Sequence, residues 1–162
     1  MFFLGIDPGY ARLGFGLIKN SNTQGKPVYV KAGIIETSSE KSDGERLEII
    51  EKSLKNLIHK KNISMCAIEQ VFFRKNLTTG IKLIQARGII LLTLHKNKIP
   101  IIEITPTSMK KMITGYGKAE KIQLQKMTAQ ILNLSEIPKP DDAADGLGLA
   151  LCAWLGFRGR KI

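Results

Sequence analysis

The chain has 162 residues, enough for one domain with a buried core and too few for two full ones. Its apolar share of 43% is that of an ordinary globular protein, which excludes a disordered chain, and no apolar run reaches membrane-spanning length. Lys and Arg total 25 against 14 Asp and Glu, a formal charge of +11 and a pI near 9.8, so an anionic polymer is the expected partner, with a solvated lysine-rich surface as the plainer alternative.

Phe2 to Asp7 is the first expected strand, and Pro8-Gly9 forces a turn directly after it. Gly14 to Lys19 and Val28 to Glu36 read as the next two, joined by a turn over Ser21 to Pro27, which makes a three-stranded antiparallel meander. A polar stretch, Thr37 to Gly44, leads into a helix on which Leu47, Ile50, Leu54, Leu57 and Ile58 recur at helical spacing. Met65 to Glu69 is a short apolar strand. Leu77 to Lys98 is an apolar helix, and Ile101 to Ile104 is a fifth strand. Thr105-Pro106-Thr107-Ser108 has the form of a cap and first turn for a short helix holding Lys110 and Lys111. Gly115-Tyr116-Gly117 makes a loop, Ala119 to Leu132 a helix, and Pro138-Lys139-Pro140 a stiff connector to a last helix, Asp142 to Leu155. The whole chain, 1-162, is expected to form one α/β domain: a mixed five-stranded sheet, the meander plus parallel strands, flanked by helices.

Four carboxylates in this order of elements carry the chemistry. Asp7 and Glu69 each close an apolar strand, and Asp142 and Asp145 stand three apart on a helix rich in Ala and Gly, so both face one way. The small residues let that helix press close to the sheet and bring its acids to the strand ends. Such a cluster suits Mg²⁺, which takes one or two carboxylates plus phosphate oxygens, and so points to two-metal phosphodiester hydrolysis. Each motif alone has a simpler meaning. Asp7-Pro8-Gly9 is also an ordinary turn, Glu69 a surface residue, and acids at a helix start favour the dipole, Asp141 being the better cap.

Phe72 and Phe73 stand beside Arg74 and Lys75 after Glu69, a pattern that fits base stacking next to phosphate contacts, with one ring turned to the core. Gly115 to Lys121 is a glycine loop opening a helix, with Lys118 and Lys121 placed for phosphate. His59 and His95 lack matching ligands nearby and read as surface or packing residues. Cys66 and Cys152 sit in apolar runs as buried thiols of a reducing, cytoplasmic compartment, and the amino terminus, broken by Gly5, Asp7 and Pro8, does not read as a signal peptide.

Taken together, Leu4 to Gly9, Ala67 to Phe72, Gln85 to Gly88, Gly117 to Lys121 and Asp142 to Asp145 resemble the RuvC family of bacterial Holliday-junction resolvases, which has an RNase H-like fold. The likeness runs through almost the whole chain, with five motifs in family order. It implies a crossover junction endodeoxyribonuclease of homologous recombination and DNA repair that nicks two like strands and leaves 5′-phosphate and 3′-hydroxyl ends. By this resemblance Asp7, Glu69, Asp142 and Asp145 are catalytic metal ligands for two Mg²⁺, with Mn²⁺ as a substitute. Lys110 and Lys121 match the family's basic active-site positions, and Phe72 its base-contacting aromatic. A homodimer, with much of its contact on the helix from Leu77, and a branch-migration motor of the RuvA and RuvB type are the implied partners besides four-way junction DNA. A non-catalytic junction scaffold, an actin-like ATPase and another RNase H-like nuclease are the rival readings.

Overall fold

A computed structural model describes residues 1–21, 25–71 and 77–159. Strands β1 (Phe2–Asp7), β2 (Arg12–Asn20) and β3 (Pro27–Glu36) form the antiparallel meander, and β4 (Ile63–Glu69) and β5 (Ile101–Ile104) add on in parallel. The sheet order is β3-β2-β1-β4-β5, which puts β1 in the centre. Helices α1 (Asp43–Ile58), α2 (Leu77–Lys96), α3 (Pro106–Thr114), α4 (Lys121–Ile131) and α5 (Asp141–Gly159) complete the fold.

Both faces of the sheet are covered, so the middle strands are apolar on consecutive residues rather than on alternate ones. Leu4, Ile6, Leu13, Phe15, Leu17, Cys66 and Ile68 point to one face, where Ile50 and Leu54 of α1 and Ala86, Ile90 and Leu94 of α2 close a core. Phe3, Ile18, Met65 and Ala67 point to the other, against Leu147, Ala150 and Trp154 of α5 and Met109 and Ile113 of α3. The α5 helix lies on the sheet with almost no spacing. A Cβ on Gly146 would sit 2.5 Å from the Phe15 carbonyl carbon, and one on Gly14 2.0 Å from the Asp142 carbonyl oxygen. Farther along, the Trp154 indole N–H donates to Asn20 Oδ1 at 3.0 Å and fixes the helix along the meander.

The elements match the expected order, and the differences lie at their ends. The β2 strand begins at Arg12, two residues early, because Arg12 and Leu13 pair with Glu36 and Ile35. The α2 helix stops at Lys96, where Lys98 turns to a positive φ of 55° and the Ile99 N–H folds back to the Leu94 carbonyl. The α4 helix starts at Lys121 rather than Ala119, since the Ala119 N–H closes a turn onto the Tyr116 carbonyl. The α5 helix is longer than expected at both ends. The turn expected at Ser21 to Pro27 lies partly outside the described residues.

Both cysteines are buried as expected, and burial pushes the Cys152 thiol up to about 12 and the Cys66 thiol up as well. Among the described residues no helix is long and apolar enough to cross a membrane.

Candidate active site

Alternation along the strands decides which acids can meet. On β1 it turns Phe3, Gly5 and Asp7 toward α5, and on β4 it turns Met65, Ala67 and Glu69 the same way. The parallel register pairs Ile6 with Ile68, so Asp7 and Glu69 emerge side by side at the strand ends. Gly14 is the antiparallel partner of Asp7, and it is against Gly14 that the first turn of α5 rests through Asp142. One turn on, Asp145 faces the same mouth with its side chain 18% exposed. The close seat of α5, set by glycine, is therefore what brings the helix acids to the strand acids.

Electrostatics records the convergence. Burial, with help from Glu69, Asp145 and Asp142 and against the pull of Lys121, raises the Asp7 pKa from 3.8 to about 7. Burial and the neighbouring Asp145 raise Glu69. Burial also raises Asp145, although Lys121 opposes it with a hydrogen bond of 3.0 Å. Burial acts to lower Lys121, yet Asp145 and Asp141 outweigh it and the ammonium is held charged. Carboxylates gathered this way repel one another and favour any added positive charge.

The expected site residues divide into three groups. Asp7, Glu69, Asp142, Asp145 and Lys121 are brought together. Lys110 is half-buried on α3 and Lys118 is exposed in the turn before α4; neither forms an ion pair with the four carboxylates. Phe72, Phe73, Arg74 and Lys75 lie outside the described residues. Lys121 is the first residue of α4, and Lys118 precedes it in the turn. Asp141 is the first residue of α5, in its first turn as expected, and its carboxylate is also held by Lys121 at 3.3 Å and by Gln125 at 3.4 Å, which ties α4 to α5.

Three arginines also bear on the site, of which only Arg87 lies in one of the sequence motifs, Gln85 to Gly88. Arg12 starts β2 on the α5 face and meets Asp142 Oδ2 at 3.1 Å and Glu36 at 3.7 Å. Arg87 of α2 donates to the Glu69 carbonyl at 3.4 Å while paired with Glu103 at 2.7 Å, which fixes the end of β4. Arg46 of α1 is buried, stacks 4.0 Å from the Tyr10 ring centre and donates to Thr37 Oγ1 at 2.9 Å. Thr37 in turn donates to the Tyr10 carbonyl at 2.7 Å, three residues past Asp7.

A groove of about 310 Å³ opens beside the ends of β1 and β4, lined by Asp7, Pro8, Glu69, Gln70, Val71, Leu83 and Pro106. Among the described residues no three acidic, His or Cys side chains converge tightly enough to cage one ion alone. An all-oxygen donor set spread in this way fits a hard cation that shares its shell with water and phosphate, as Mg²⁺ does, rather than Zn²⁺, which wants nitrogen or sulfur.

The model of the family described as "Crossover junction endodeoxyribonuclease RuvC" matches residues 3–153. The RuvC of Thermosipho melanesiensis is 43% identical over 152 residues, covering 94% of this chain and 96% of the relative. That of Caldicellulosiruptor saccharolyticus is 46% identical over 94% of this chain and 91% of its own. Among solved structures, Thermus thermophilus RuvC superposes with a TM-score of 0.87 at 28% identity over 99% of this chain and 96% of its own. The same protein bound to a Holliday junction substrate gives a TM-score of 0.86 at 25% identity, over equal shares.

Proposed function

The chain belongs to the RuvC family of crossover junction endodeoxyribonucleases, which act on Holliday junctions in recombination and repair, and from that premise we propose the mechanism by which it cuts. Asp7, Glu69, Asp142 and Asp145 would hold two Mg²⁺, or Mn²⁺ in their place. The observation that carries this reading is the convergence of the four carboxylates from two strand ends and one helix, with Asp7 raised to about 7 by burial and by its neighbours. When bound, the ions supply activated water and stabilise the leaving 3′-oxygen of an in-line displacement.

The chain's own groups do the remaining work. Glycine contacts under α5 seat the helix acids close to the strand acids. Lys121, charged and at the rim, offsets negative charge gathering on the phosphate, with Lys110 farther along α3 in a supporting position. Arg12 and Arg87 orient Asp142 and the Glu69 backbone. Phe72 contacts bases near the crossover, flanked by Phe73, Arg74 and Lys75. Lys118 meets backbone phosphate.

Paired nicks need two sites, and α2 supports a homodimer. Ile81, Ile84 and Leu92 are 50%, 43% and 47% exposed on one stripe of that helix, with open space over Gly88 between them. A stripe at this spacing suits a second copy of the same helix. The family resemblance adds a RuvA- and RuvB-type motor and a cytoplasmic setting. The test of the ligand assignment is Asp7→Asn beside Glu69→Gln on a four-way junction. Both variants are expected to bind the junction and leave it uncut, and retained cutting by either contradicts the assignment.

A further inference from the structure

Tyr116 has no part in the mechanism above, yet its setting is that of a contact residue. At 60% it is the most exposed large hydrophobic side chain among those described. The backbone beneath it is nevertheless held firmly. Gly115, at a φ of 78°, ends α3 and donates its N–H to the Lys111 carbonyl at 3.0 Å. The Tyr116 N–H donates to Thr114 Oγ1 at 3.1 Å, and the Tyr116 carbonyl accepts the Ala119 N–H at 3.1 Å. Gly117 leans on α3, where a Cβ would come within 3.1 Å of the Thr107 methyl group, and Ala119 is buried. The ring thus stands in water on a fixed turn, so little backbone freedom is lost when something covers it.

The surroundings select what covers it. From Thr105 to Lys121 the chain carries Lys110, Lys111, Lys118 and Lys121 against a lone Glu120. The same segment borders the catalytic mouth at both ends, since Pro106 lines the groove with Asp7 and Glu69, and Lys121 reaches Asp145 at 3.0 Å. An aromatic face among lysines beside a phosphodiester-cutting site matches a nucleobase whose backbone the lysines track.

We propose that Tyr116 is a second stacking contact for the junction, on the α3–α4 side of the site, where its ring receives an unpaired base next to the strand being cut. This rests on the resolvase reading. Stacking needs the ring and not the hydroxyl, and it releases no counterions, so affinity and salt dependence separate it from a phosphate contact.

The experiment is fluorescence anisotropy of a labelled four-way junction in Ca²⁺ across a salt series, with wild type, Tyr116→Phe, Tyr116→Ser and Lys118→Gln, each first checked for an unchanged melting temperature. Tyr116→Phe should bind within about twofold of wild type, and Tyr116→Ser should be weaker by about 5- to 100-fold at an unchanged salt slope. Lys118→Gln should lower the slope by about 1. Wild-type affinity in Tyr116→Ser, equal losses in Phe and Ser, or a reduced slope in Tyr116→Ser each overturn the stacking role. If wild type itself shows no preference for the junction over duplex, the resolvase reading falls and the Tyr116 role falls with it; wild-type preference shared by Tyr116→Ser refutes the Tyr116 role alone.

Discussion

Replacing Asp7 by Asn should make the metal-free protein more stable while ending its activity. In the fold this carboxyl has a pKa of about 7, raised from 3.8 by burial first and by Glu69, Asp145 and Asp142 after it. A raised acid favours the protonated folded state. Well below pH 3.8, its ordinary value, the group is protonated whether folded or not and costs nothing; the cost grows as pH rises and is complete above pH 7. The rise from 3.8 to about 7, at 1.36 kcal/mol per pH unit, sets a ceiling of about 4 kcal/mol, and relaxation and water entry bring the expected gain from Asn to about 2 kcal/mol. For a domain of this size that is a rise in melting temperature of about 4–8 °C. Thermal and urea unfolding in EDTA at pH 4, 6 and 8 measure it. The variant should come close to wild type at pH 4, exceed it clearly at pH 8, and lose its advantage when excess Mg²⁺ is added. A variant less stable than wild type at pH 8, or a difference that ignores pH, would refute the picture of crowded, desolvated carboxylates.

Gly146→Ala places a methyl 2.5 Å from the Phe15 backbone, which cannot yield as a side chain could, so the urea midpoint should fall by the equivalent of about 1–3 kcal/mol and cutting should drop as α5 lifts. Lys121→Gln removes the ammonium from Asp145; single-turnover cutting should slow by about 10²-fold with junction affinity nearly kept, and a change confined to affinity would reassign Lys121 to binding. Phe72→Ala should reduce cutting more than gross affinity, because phosphate contacts dominate binding, whereas an equal affinity loss on plain duplex and junction would indicate a general role.

The order of elements was legible because the strands are short apolar runs and the helices keep their period. The four acids were legible for a related reason: Asp7 and Glu69 end runs that are buried up to that point, and Asp142 and Asp145 share a helix face. The small residues of α5 also predicted its close approach, and Gly146 against Phe15 is the contact that realises it. What stayed hidden depends on chain segments far apart in sequence. Arg12 meets Asp142 only after β2 and α5 stack, and Arg46 reaches Thr37 and the Tyr10 ring across the first helix and the third strand. Nothing local distinguishes a buried, hydrogen-bonded arginine from a solvated one. Helix ends were missed where a single N–H chose a turn, as at Ala119.

The most direct measurement is cleavage of a mobile synthetic four-way junction, with and without Mg²⁺, beside linear duplex and an RNA–DNA hybrid. Paired Mg²⁺-dependent nicks on opposing strands, in the junction alone, are the predicted result. Cutting of the hybrid in preference to the junction, or cutting that persists in EDTA, would contradict it.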